Sequence, residues 1–246
     1  MTTKNEVAEA KTTAVGAALN FAADAGIGLE GADKDSLAIP FLSILQPMSP
    51  QVVDETVEGA KAGLLINSIT NDLYKTVQVV PVAFQRRFLR WALRENGGGY
   101  RGEYTAAQVE ALKIERNDEG RLIYEGDELR DTRNHFVMIV TENGFQPALF
   151  SLSSTQIKKS KRWLSRIQGV QMKDANGRTF NPPSFSHVYE VRSVKESNDK
   201  GSWYGVEVDM VGPVADADLY AAARAFHDQI VSGKVEVATP VEEEKF

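Results

Sequence analysis

The chain contains no cysteine. Disulfides, thiolate nucleophiles and every cysteine-ligated zinc or iron–sulfur site are thereby excluded, and a reducing, cytoplasmic setting is expected. Histidine is scarce: His135, His187 and His227 form no HExxH or HxH pairing, which leaves little for a metal site. No run of about eighteen apolar residues occurs, so no membrane span is expected. The opening MTTKNEVAEA lacks the basic start and apolar core of a secretion signal. Catalytic signatures are missing too. Gly97-Gly98-Gly99 runs into Tyr100-Arg101 rather than Gly-Lys-Ser/Thr, so it is no phosphate loop. There is no G-x-S-x-G elbow, and three scattered histidines make no triad. Ser197 and Lys200 fit S-x-x-K only inside a polar turn. The expectation is a non-enzymatic protein with no cofactor and no metal.

What remains is a chain of 246 residues, 42% apolar and 25% charged, enough to bury one sizeable core. Its net charge of −6 argues against a polyanion partner until the charges are located. Residues 1–60 hold three basic and nine acidic side chains, and 236–246 hold one and four. The middle is therefore basic and the ends acidic. Within 151–180 seven basic residues face a single acid, Asp174.

The segment 1–36 reads as flexible. Residues 37–52, LAIPFLSILQPMSPQV, carry Pro40, Pro47 and Pro50 and read as an extended strap or short turn. Strand signals follow: LLINSI (64–69), a long run at 76–93, and a hairpin of 134–141 and 145–152 around Asn143-Gly144. The spacing predicts a short helix within 105–114 and a longer one over 153–168. The longer helix opens on serine caps and aligns Ile157, Lys161, Leu164 and Gln168. A second hairpin, 187–194 with 203–211, precedes a helix over 216–231. That helix is capped by Asp216 and striped by Leu219, Ala223, Phe226 and Ile230. The fold class is mainly β with some α: an OB-fold-like, five-stranded barrel over 37–232, with a helix between strands 3 and 4 and a C-terminal helix. Residues 233–246 form a flexible acidic tail.

The most informative segment is FQRRFLRWALR (84–94). Alternation puts Phe84, Arg86, Phe88, Arg90 and Arg94 on one strand face and Leu89, Trp91 and Leu93 on the other. The second set suits a core. The first suits unpaired nucleic acid, with arginines on phosphates and rings on bases, and Tyr100, Arg101 and Tyr104 extend it. The plain alternative is a solvated edge strand whose arginines deter aggregation. Lys158, Lys159, Lys161, Arg162 and Arg166, with Trp163 among them, form a second cluster that predicts salt-dependent polyanion affinity. In WYGVEVDM, Tyr204, Val206, Val208 and Met210 read as core, while Trp203 points outward as a stacking platform or a lid on the barrel end. Glu207 and Asp209 share a strand face, as the acids of a metal-dependent nuclease would. The closing Glu242-Glu243-Glu244-Lys245-Phe246 can compete with DNA for the basic groove, or insert its terminal ring and carboxylate into partner pockets.

With these pieces the chain resembles the single-stranded-DNA-binding proteins of bacteriophages and bacteria. The resemblance rests on the strand order over 76–212, on FQRRFLRW and on EEEKF, with IPFLSILQPMSPQV similar to the front of phage proteins of this kind. It departs from them in a tail of three consecutive acids with a lysine before the phenylalanine. It implies DNA binding during replication, recombination or repair, and recruitment of partner proteins through Glu242, Glu243, Glu244 and Phe246; it allows a homo-oligomer. Two other readings stay open: a phage structural or protein-interaction module without DNA binding, and a metal-dependent nuclease.

Overall fold

A computed structural model describes residues 38–199 and 201–235, together with Ile27, Gly28 and Glu30. The chain divides after Leu37 into two units, and everything below concerns the second. The expectations for 1–36 and for the acidic tail fall almost wholly outside the described residues.

The strand run at 76–93 becomes β4 of the chain, Thr76–Ala92, and it organises the main sheet. Three short strands precede it, β1 (Leu42–Ile44), β2 (Leu65–Asn67) and β3 (Leu73–Tyr74), with the single-turn helix α1 (Pro50–Val53) after β1. The three prolines of 37–52 confine this region to short pieces, as expected. Following β4 come β5 (Tyr100–Thr105), helix α2 (Ala106–Glu110), β6 (Glu115–Arg116), β7 (Leu122–Tyr124), β8 (Asp127–Thr141) and β9 (Gly144–Ser153). The last third comprises helix α3 (Ile157–Gln168), β10 (Met172–Lys173), β11 (Thr179–Phe180), β12 (His187–Asn198), β13 (Gly201–Pro213) and helix α4 (Ala217–Val231).

β4 pairs antiparallel with β8 from Gln78↔Val140 to Ala92↔Asp127. Its other edge is shared, with β12 at residues 76–79 and β5 at 87–91. Pro81, which has no N–H to give, lies in the stretch between those two partners, where the ladder with β8 also shifts register. β8 is shared likewise, with β7 at its start and β9 along its remainder. At one end the spatial order is therefore β13-β12-β4-β8-β9. At the other it is β5-β4-β8-β7-β6.

Both faces of the first end are buried, which explains why VQVVPVA and HFVMIV read as near-continuous apolar runs. One face places Val77, Val79, Val137, Ile139, Phe150, Tyr189 and Val206 against Trp163 of α3, Leu42 of the strap and Leu65 of β2. The opposite face places Val80, Val82, Phe136, Met138 and Leu149 against Leu219, Ala223, Phe226 and Ile230 of α4. The predicted stripe of α4 is buried residue for residue. Its predicted cap is also present, with the Asp216 carboxylate accepting from the N–H groups of Asp218 and Leu219.

The mainly β class, and a helix between the third and fourth long strands, are as expected. The closed five-stranded barrel is not. The sheet curls into a half-barrel, and among the described residues β9 and β13 share no ladder. Side chains occupy the edge of β13 instead. Gln46 takes both the N–H and the C=O of Tyr204, at 2.9 Å each. Gln156 accepts from the N–H of Val206 (2.9 Å), and Arg166 donates to the C=O of Val208. At the β9 edge, Phe41 bridges Leu149 in parallel. Gly63, whose N–H donates to the Leu45 carbonyl of the strap, passes close to the same tyrosine: a Cβ there would lie 2.6 Å from the Tyr204 ring. Strap and helix thus fill the gap that a closing ladder would have spanned, and they spare the edge from pairing with another chain.

Three local expectations are corrected. The buried face of α3 is Ser160 and Trp163, flanked by half-buried Ile157, Leu164 and Ile167, whereas Lys161 and Gln168 are exposed. Neither serine caps α3: Ser153 and Ser154 lead into a 3-10 turn and Gln156 stands at the cap without a side-chain bond. Met210, assigned to the core, is 45% exposed and lies where the β12–β13 ladder shifts register, which breaks the simple alternation along the strand.

Candidate nucleic-acid interface

Beyond the two cores, β4 and β8 continue as a twisted wing with β5, β6 and β7. Phe84 is the cross-strand partner of His135, and His135 Nε2 lies 2.8 Å from Ser160 Oγ of α3. Alternation then puts Arg133 and Asp131, with Arg86, Phe88 and Arg90, on the same sheet face that α3 covers farther along. The two sequence-predicted clusters therefore share one face of the β4–β8 ladder.

Their side chains fare differently. Arg86 donates bidentately to Asp131 (3.1 and 2.7 Å), which Arg133 also holds (3.1 and 3.2 Å). Burial pushes the Asp131 carboxyl up, but the two guanidinium groups outweigh it and hold it below its ordinary value. Arg90 donates to Asp127 at 2.6 Å and to the Tyr104 hydroxyl at 3.3 Å, and it reaches Glu125 at 3.1 Å. Its own affinity for the proton is raised, by the Tyr104 hydrogen bond first and Asp127 after it, against the opposing effect of burial. Arg101 stands 3.7 Å from the same Asp127.

The rings are engaged as well. Arg86 lies over Phe88 at 4.6 Å, Arg90 over Tyr124 at 5.0 Å and Arg130 over Trp91 at 5.3 Å. Phe88 is only 4% exposed, which corrects its expected place on an open stacking face. Phe84 is half-buried against His135, with ring centroids 5.1 Å apart. Tyr100 meets Trp91 edge-on, and Tyr104 meets Tyr124 in the same way. Rings and guanidinium groups do interleave, but they stack on each other within the protein. The Arg94 side chain lies outside the described ones.

Missing from the sequence reading was the partner strand. Asp127 and Asp131 are four residues apart, as are Arg86 and Arg90, so two antiparallel strands bring acids to bases in register. That spacing in DELRDTR was the available signal.

The cluster on α3 is different. Lys158, Lys161 and Arg162 are exposed and enter no ion pair among the described residues. They sit in the first half of a helix with no acid in its first turn, where the macrodipole is already positive. Cations there destabilise the helix unless an anion answers them. Lys173 and Arg178, on the hairpin that follows, are likewise exposed and without an ion pair among the described residues.

Trp163 is the correction in this cluster. At 1% exposure it belongs to the core, stacked on His135 at 4.5 Å and 21°. Lys159 pairs with Glu196 at 2.6 Å, and the half-buried Trp203 donates its indole N–H to the same carboxylate at 3.0 Å. The structure thereby brings Trp203 to the basic helix. Lys159 foremost holds the Glu196 carboxyl below its usual range.

Arg166 wraps the edge of β13 to reach Asp209 at 3.3 Å. Glu207 and Asp209 do share a face, yet Arg192 takes both, at 2.7 and 2.8 Å. Among the described residues no three potential ligands gather as a metal site would need. No described helix is long and apolar enough to cross a membrane. Glu242, Glu243, Glu244 and Phe246 lie outside the described residues.

A family model described as Pam3 phage gp34-like protein matches residues 8–236. No curated protein matches the chain. No solved structure matches it either.

Proposed function

This chain belongs to the Pam3 phage gp34-like family, and we propose that it binds unpaired DNA, without strong sequence preference and without catalysis. The family's name points to a phage origin, in keeping with a role in phage replication or recombination. One observation carries the reading: exposed cations that enter no ion pair among the described residues are concentrated on α3 and the hairpin after it, in a chain that is acidic overall. Lys158, Lys161, Arg162, Lys173 and Arg178 would neutralise phosphates, and Trp203 beside them offers a ring to a base. The wing arginines support the surface by holding its shape rather than by touching DNA. A half-barrel with a helix between its third and fourth long strands is read as an open relative of the OB fold. The acidic tail is assigned a competing role, as an internal polyanion for the same cations and as a handle for partner proteins.

The test is a titration of the full chain with single- and double-stranded oligonucleotides at two salt concentrations, with and without magnesium. Preferential binding of the single strand that weakens with salt is expected, and deleting 236–246 should tighten it. Absence of binding would favour an interaction module, and magnesium-dependent loss of the oligonucleotide a nuclease.

A further inference from the structure

β10 and β11 form a two-stranded ribbon in register Met172↔Phe180 and Lys173↔Thr179. Every residue from Gln171 to Asn181 is exposed, and none belongs to either core. The turn holds itself together. Asp174 Oδ1 accepts from the N–H groups of Asn176 (2.8 Å) and Arg178 (2.9 Å), and Gly177, at φ +77°, donates to the Asp174 carbonyl. The ribbon's one carboxylate thus turns its Oδ1 to the backbone of its own turn and enters no ion pair among the described residues. At the base, Asn181 Nδ2 donates to the carbonyls of Gln168 and Val170, which fastens the ribbon to the end of α3.

On this polar, pre-shaped ribbon Phe180 keeps 44% of its surface in water, and its cross-strand partner Met172 keeps 37%. Lys173 neighbours Met172 in the chain, and Arg178 lies two residues before the ring. We propose that Phe180 is a base-stacking platform and that Lys173 and Arg178 hold the phosphates on either side of the stacked base. The inference rests on the reading of the chain as a binder of unpaired DNA, and it assigns that surface a ring which neither sequence pattern nor core packing explains. The charges select a polyanion. An exposed ring beside them selects one whose bases are free to leave their stack, which a duplex does not provide.

The full chain is titrated with oligo-dT, followed by anisotropy, as wild type, Phe180→Leu and Phe180→Tyr. Leucine keeps an apolar partner for Met172, so a purely ribbon-stabilising role is preserved in it while the ring is lost. Phe180→Leu should weaken binding roughly 5- to 150-fold, the range a stacked base is worth, and Phe180→Tyr should bind like wild type. In Phe180→Trp the indole emission should be quenched by oligo-dT more than that of wild type, whose Trp203 also faces the strand, and left unchanged by heparin, which has charge but no bases. Wild-type binding retained in Phe180→Leu, with no quenching beyond wild type in Phe180→Trp, overturns the assignment and leaves the DNA reading standing. Wild-type protein that fails to bind oligo-dT at low salt overturns both.

Discussion

Salt dependence separates the two cationic surfaces. Five exposed cations without an ion pair among the described residues lie on α3 and the ribbon: Lys158, Lys161, Arg162, Lys173 and Arg178. Each phosphate neutralised on a single strand contributes about −0.7 to the slope of log affinity against log salt, so full engagement gives about −3.5. Replacing Lys158, Lys161 and Arg162 by Gln leaves two of the five, and the slope should shrink to about −1.4. Arg86→Gln is the contrasting variant. Its guanidinium is already held bidentately by Asp131 at 2.7 Å, a carboxylate it shares with Arg133, so it is not free to take a phosphate and the slope should stay near the wild-type value. Anisotropy titrations of oligo-dT across a salt series, with thermal melts to confirm folding, supply the measurement. An unchanged slope in the triple variant, or a reduced one in Arg86→Gln, would refute the assignment and return the phosphate track to the wing.

Acid should destabilise the fold through His135. Burial, with Arg133 nearby as the lesser cause, pushes its imidazole down to about 3 from the ordinary 6.5. Between those values the unfolded chain binds the proton and the folded chain does not, so stability falls as pH falls through that window. From pH 7 to pH 5 this one group accounts for a loss of about 2 kcal/mol. Urea unfolding at both pH values should show that loss in wild type and not in the His135→Phe/Ser160→Ala double variant, which removes both partners of the buried hydrogen bond; an equal loss in both would exclude His135 as the cause. Asp127→Asn should lower stability by about 3 kcal/mol by leaving Arg90 without its closest partner in a buried site. Lys158→Gln should change it by less than about 0.5 kcal/mol, and equal effects in the two variants would contradict the division between structural and free charges.

The helix over 216–231 and the two long hairpins were legible because local signals agreed with the tertiary outcome. An aspartate cap, a four-residue stripe, one Asn-Gly turn and one polar turn each act within a few residues of themselves. α3 was found, but its buried face was misread. A stripe through Ser160 and Trp163 fits the helical period as well as one through Lys161, and the position of His135 on a neighbouring strand distinguishes them. Phe88 failed for a related reason: a ring beside arginines looks open until the chain supplies Tyr104 and Asp131 opposite it.

Composition and short-range pattern by themselves determined that this chain is mainly β, that its basic residues gather within 151–180, and where its last helix begins. They act through backbone geometry and charge density, neither of which needs a distant partner. Whether a given guanidinium is free was decided by strand register, since Asp127 and Asp131 meet Arg90 and Arg86 only once β4 and β8 are paired over fourteen positions. Whether the barrel closes was decided likewise, by Gln46, Gln156 and Arg166 reaching the β13 edge from remote parts of the chain.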